Sequence, residues 1–185
     1  MPSPSRITSL ALLIYVPLTV GGLLWAKVAG GRWAWSLDEP WLVAPFWIQL
    51  TISLALGLAS ALAVVVVTPR LVERTEWARA LHSQLKEVIA PLSPAEITVL
   101  ALASGLAEEI FFRGAMQPVL GLLVTSLIFG AFHLGPREVF PAWAIWAFVI
   151  GLLFGSIFEL TGVLWGPVLA HVWINQRNMM FLKRD

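Results

Sequence analysis

Glu108-Glu109-Ile110-Phe111-Phe112-Arg113 places two acids and a cation inside a helix-length segment that is otherwise apolar. A charged side chain costs roughly 2.5–3.5 kcal/mol at the centre of a membrane helix. Three charges in six residues therefore need a purpose. Helical geometry supplies part of it. Glu109 and Arg113 are four apart with the acid first, the favoured order for a same-face pair. Glu108 is turned about 100° from Glu109 and lies off that pair. The pattern predicts that Arg113 neutralises Glu109 and leaves Glu108 available for chemistry.

The surrounding chain makes the setting a membrane. Of 185 residues 58% are hydrophobic, the mean hydropathy is +0.82, and 12% are charged; a soluble domain carries about 25% charged residues. The expected fold is all-α, a polytopic membrane helical bundle of about six transmembrane helices. A net charge of +1 without a basic cluster argues against a nucleic-acid partner. The absence of Cys excludes disulfides, thiolate catalysis and thiolate–metal sites. The ten Trp residues suit interfacial anchoring and bundle packing.

Working outward, Ser93-Pro94-Ala95-Glu96 is a helix start: a cap residue, Pro at the first position and Glu at the third. The third helix runs from there to about Gln117, with a break at Pro118 and Gly121. The fourth runs from about Leu120 to His133 and ends at Gly135-Pro136-Arg137. The fifth runs from about Val139 to Leu160. Thr161-Gly162 turns the chain, and the sixth runs from about Val163 to Phe181, with Leu182-Lys183-Arg184-Asp185 closing it. Gly151/Gly155 and Gly162/Gly166 have the small-xxx-small spacing of close helix packing. Upstream, Ile7 to Val28 is too long for the apolar part of a signal peptide, and Lys27 spoils a cleavage site; it reads as a retained membrane helix. Gly30 to Pro40 is a short polar connection with Trp33, Trp35 and Trp41 at an interface. Trp41 to Val67 is the second span. Thr68 to Ser93 is polar, with Leu71, Trp77, Leu81, Leu85 and Val88 at roughly helical spacing. It reads either as an amphipathic helix on the membrane surface or as a solvated connecting helix. Residues 1–92 are thus two spans with a connecting segment, and residues 93–185 a four-helix catalytic core.

Basic residues set the expected orientation. With the N-terminus inside, Arg6, Arg70, Arg74, Arg79, Lys86, Arg137, Arg177, Lys183 and Arg184 lie inside and Lys27, Arg32 and Arg113 outside. Nine against three favours both termini in the cytoplasm, and the expected location is the bacterial inner (cytoplasmic) membrane.

Beside the Glu109–Arg113 pair, four polar groups fall inside apolar helices: Glu108, His133, His171 and Asn175. Glu108 lies about twelve residues before the turn near residue 120 and His133 about thirteen after it. At about 1.5 Å per residue an antiparallel hairpin brings them level. Asn175 lies thirteen residues beyond Gly162 and His171 nine; being four apart, they share a helix face. With both turns on one side, all four converge on one layer. Each has a bland reading too: a lone His can bond a backbone carbonyl, and Asn can join two helices. An unpaired Glu at mid-membrane is harder to explain so. Glu159, near a helix end, and His82, in the polar stretch, are expected at the surface.

A carboxylate facing an imidazole can polarise a water, the Glu acting as general base and the His orienting the water or shuttling a proton. A second His and an Asn can donate to a developing oxyanion. That set serves hydrolysis of an amide inside a membrane. There is no Gly-x-Ser-x-Gly elbow and no His-Glu-x-x-His pair.

Glu-Glu-x-x-x-Arg at 108–113, Phe-x-x-x-His at 129–133 and His-x-x-x-Asn at 171–175 resemble the three motifs of the CPBP family, the CAAX prenyl endopeptidase and bacteriocin-processing (Abi) membrane proteases. The resemblance covers about residues 93–178. It implies an intramembrane glutamate protease in which Glu108 activates the water with His133 as partner. His171 and Asn175 would form the oxyanion site, and Glu109 and Arg113 the supporting pair. That mechanism needs no metal. The implied partners are the lipid bilayer and a membrane-associated protein or peptide substrate, cut at a CAAX-like tail, a propeptide or a C-terminal sorting tail. One departure is the run from Gly114 to Gly121, which lacks the basic cluster common there in relatives. Two alternatives stand beside the protease: a zinc hydrolase with His133, His171 and Glu108 as ligands, and a non-enzymatic scaffold or immunity protein.

Overall fold

The computed structural model describes residues 4–134 and 140–183. The expected turn at Gly135-Pro136-Arg137, the start of the fifth span at Val139 and the last two residues lie outside them. The helices are α1 (Pro4–Gly30), α2 (Phe46–Arg74), α3 (Glu76–Ile89), α4 (Pro94–Glu108), a π-helical segment (Glu109–Met116), α5 (Gln117–Phe132), α6 (Phe140–Thr161) and α7 (Trp165–Phe181). Among the described residues the nearest thing to a sheet is one bridge, Ser36 to Val163.

Four stretches are long and apolar enough to cross a membrane: Arg6–Gly30, Phe46–Arg74, Pro94–Phe132 and Pro141–Thr161. The third, of 39 residues, is folded in two. Gly121 has φ +80° and ψ 164°, a conformation closed to other residues, and there the chain reverses so that Phe112 packs on Phe129 with centroids 5.1 Å apart. Gly162, at φ +68°, reverses the chain again, bringing Phe154 against Ala170. With α7 this makes six helical passes, and the chain is an integral membrane protein.

The start of α4 is as its sequence demands. The Ser93 hydroxyl accepts from the Glu96 amide at 3.2 Å, and the Glu96 carboxylate accepts from the Ser93 amide at 2.8 Å, a reciprocal capping box. Two boundaries differ from expectation. Trp41 to Pro45 is not helical; the Trp41 and Leu42 amides donate instead to Glu159 and Leu160 carbonyls at 2.9 and 2.8 Å. In exchange α2 continues through Pro69 to Arg74, so the polar stretch is split at Thr75 between two helices.

The role of α3 also differs. Its apolar side lines a cavity inside the bundle through Trp77, Leu81 and Leu85, and Ile89 packs with the Leu92–Ile97–Leu100 cluster and with Ile7 of α1. His82, expected in water, lines the same cavity and packs on Phe181 at 5.0 Å. A helix with one apolar face buries that face where neighbouring helices offer the most apolar area.

At the other end of the bundle α2 and α7 nearly touch. A Cβ on Gly166 would overlap the Ser53 carbonyl, and one on Gly57 the Gly166 carbonyl. The Ser53 hydroxyl bridges the contact, donating to Val163 O at 2.8 Å and accepting from the Gly166 amide at 3.1 Å. Gly151 and Gly155 pack on α5 through Ser126, Leu122 and Gln117.

Candidate functional site

The acid pair sits where α4 gives way to the π segment. In a π turn each hydrogen bond spans one residue more than in an α-helix, so sequence spacings fall at different angles, and such turns recur at functional sites. Here the two acids part. Glu109 is fully buried and Arg113 is 1% exposed. Arg113 Nη1 donates to Glu109 Oε1 at 3.0 Å, Nη2 reaches Gly151 O at 3.4 Å, and the guanidinium lies over the Phe129 ring at 4.2 Å. A buried charge is tolerable when paired and bonded in this way.

Glu108 faces the cavity. Its Oε2 lies 3.9 Å from His133 Nε2 and 3.8 Å from His171 Nε2, and has no hydrogen-bond partner in the protein. The two spacings are too long for direct hydrogen bonds and suit groups that share a bridging water. The hairpin at Gly121 brings His133 in, and the hairpin at Gly162 brings His171.

Each imidazole is oriented by its other nitrogen. His133 Nδ1 is 2.8 Å from Phe129 O. A carbonyl only accepts, so Nδ1 carries the hydrogen and, in the neutral ring, Nε2 presents a lone pair toward Glu108. His171 Nδ1 is 2.7 Å from Glu109 Oε1. The carboxylate accepts from Nδ1–H and fixes the ring, with Nε2 turned to Glu108. Glu109 therefore holds both Arg113 and His171, a link between helices that sequence reading missed because it paired Glu109 within its own helix only.

Asn175 lines the same cavity. Its Nδ2 donates to the Ser104 hydroxyl at 2.9 Å, leaving the second amide hydrogen for another acceptor. Ser104, 6% exposed, was not singled out in the sequence; its place one helical turn before Glu108 was the available signal. Tyr15 of α1 was missed too. It lines the cavity together with Glu108.

The cavity holds about 480 Å³ and runs from Glu108 to α3, with mostly apolar walls from α1, α2, α3, α6 and α7. The zinc alternative asks Glu108, His133 and His171 to converge on one ion. Among the described residues no group of three His, Cys, Asp or Glu side chains is placed to hold one. Glu159, expected at the surface, is half-buried and accepts from Gln117 Nε2 at 3.1 Å.

A polytopic helical membrane protein with a carboxylate–imidazole cluster at the base of an apolar cavity is the class that fold and site define. Residues 90–176 match the family model for type II CAAX prenyl endopeptidase Rce1-like proteins, a match that takes in every motif residue. The chain is also similar to the "Uncharacterized protein YpbD" of Bacillus subtilis (strain 168), 36% identical over 92 residues, which is 49% of this chain and 47% of that protein. The chain thus spans about half the length of the curated relative it matches. No solved structure matches it.

Proposed function

We propose that the protein is an intramembrane glutamate endopeptidase that hydrolyses a peptide bond in a membrane-associated protein or peptide. The observation that carries this reading is one carboxylate oxygen, Glu108 Oε2, flanked at 3.9 and 3.8 Å by two imidazole Nε2 atoms at the base of an apolar cavity. A water there donates one hydrogen to Glu108 and the other to His133 Nε2, which leaves its lone pairs for a substrate carbonyl. Glu108 takes the proton as the water oxygen bonds to the carbonyl carbon. The oxyanion formed receives hydrogen bonds from the free Asn175 amide hydrogen and from His171 Nε2 when that nitrogen is protonated. The C–N bond then breaks, and the proton held by Glu108 passes to the departing amine. Glu109 and Arg113 hold His171 in place.

The match over residues 90–176 supports the reaction class. The cavity's apolar walls support a substrate with an apolar stretch or chain beside the cut bond, such as a CAAX-like tail, a propeptide or a sorting tail. The charge bias supports cytoplasmic termini in a bacterial inner membrane, so that the α3 end faces the cytoplasm and substrate enters there. The test is a comparison of membrane-protein termini in cells carrying wild type or Glu108→Gln. The expected result is at least one uncut precursor accumulating with the variant, while the variant protein itself is present and inserted. Identical termini in both would reject the reading in favour of a scaffold; cleavage abolished by a chelator and restored by zinc would reject it in favour of a metallohydrolase.

A further inference from the structure

The motif residues all lie in α4, the π segment, α5 and α7, yet their cluster has a fourth side. The chain contains a single tyrosine, Tyr15, and it falls on α1, outside the residues 90–176 that match the family model. It is on the face of α1 that meets α4. Ile7 and Ala11 pack at the Leu100 level, and further along Gly22 lies so near that an added Cβ would stand 3.0 Å from Phe111 Cα. Between these contacts Tyr15 lines the cavity with Glu108, close enough for its phenol to feel the carboxylate charge, and Glu108 Oε2 has no hydrogen-bond partner in the protein. The remainder of α1 is largely exposed to the apolar surroundings, where a phenol would have nothing to bond. The groups around Glu108 are then Arg113 from the π segment, His133 at the end of α5, His171 from α7 and Tyr15 from α1.

We infer that Tyr15 is a positioning residue for Glu108: its hydroxyl donates to the carboxylate, fixes its rotamer and turns Oε2 toward the two histidines. The inference rests on the reading of Glu108 as the water-activating base, and it makes α1 a part of the working site. A carboxylate on a flexible side chain loses activity when its geometry loosens. A hydrogen bond to a charged group is strong enough for its loss to cost about tenfold in rate.

A lone tyrosine makes the contact directly observable. With 3-fluorotyrosine incorporated, the folded protein in detergent or nanodiscs gives one ¹⁹F resonance. We expect Glu108→Ala and Glu108→Gln to shift it and Glu159→Gln, at the far end of the bundle, to leave it in place. On the substrate found by the termini comparison, Tyr15→Phe is expected to lower kcat about tenfold with KM within about twofold, and Tyr15→Leu to lower kcat at least as far. A resonance that ignores both Glu108 variants overturns the contact; Tyr15→Phe with kcat unchanged, or with KM alone raised, overturns the positioning role. Loss of cleavage is read separately in Glu108→Gln, so failure of the protease reading would show there while the fluorine shift still tests the contact.

Discussion

At the end of the bundle where Gly121 and Gly162 turn the chain, backbone and hydroxyl groups tie the helices together. Leu37 N donates to Gly162 O at 2.9 Å, Trp41 N to Glu159 O at 2.9 Å, and Ser53 links Val163 to Gly166. At the α3 end, apolar side chains stand apart around about 480 Å³ of cavity, with the Glu108 carboxylate on the inner wall. Two adjacent acids divide along the same line. Glu109 belongs to the closed half, with no exposure and with Arg113 and His171 bonded to it; Glu108 belongs to the open half, its side chain 13% exposed. The difference teaches that a charge in this bundle is either locked into packing or turned toward the cavity, and that the π segment marks the change from one to the other.

The largest effect should come from breaking the locked side. Arg113→Ala leaves Glu109 buried with only His171, and unpairing a buried charge costs about 3–5 kcal/mol. Thermal unfolding in detergent should show that loss, or the protein should fail to accumulate. Glu108→Gln, on the open side, should unfold within about 0.5 kcal/mol of wild type while cleavage falls by a factor of about 10²–10⁴. Equal destabilisation by the two would erase the distinction between them. A smaller effect is expected at the cavity wall. Ser104→Ala removes the acceptor of Asn175 Nδ2, a bond worth about 1 kcal/mol net; kcat should drop severalfold, and an unchanged kcat would detach Asn175 from the reaction. The smallest is at the mouth. Leu81→Asp on α3 should raise KM a few-fold and leave kcat alone, because it alters the apolar wall and not the reacting groups.

Much of this was legible in residue order. The capping box at Ser93 and the turns at Gly121 and Gly162 are local chemistry, and local chemistry is readable. Counting residues outward from those turns put Glu108, His133 and His171 at one depth, and the structure brings both imidazoles within 4 Å of Glu108. What stayed hidden depends on contacts between distant segments. The π segment cannot be read from α-helical spacing, because its wider turn is set by packing around Arg113 and the close pass of Gly114 against Ala34. The bond from His171 to Glu109 spans 62 residues. Tyr15 sits in an apolar run where a phenol has the look of an interfacial anchor, and only the α1–α4 contact brings it to the cavity that Glu108 lines. The apolar stripe of α3 was plain; that it faces a cavity between helices required knowing where α1, α2 and α7 end.

The most direct measurement uses the absence of cysteine from the chain. A cysteine introduced as Glu108→Cys and one introduced as Val163→Cys, which is 2% exposed at the closed end, are treated in the membrane-inserted protein with a small water-soluble methanethiosulfonate reagent. Such reagents need thiolate, and so water, at the target. The predicted result is that Glu108→Cys reacts in the folded protein while Val163→Cys reacts only after denaturation. A Glu108→Cys thiol that stays unreactive until the protein is unfolded would contradict a water-reachable carboxylate, and with it the site.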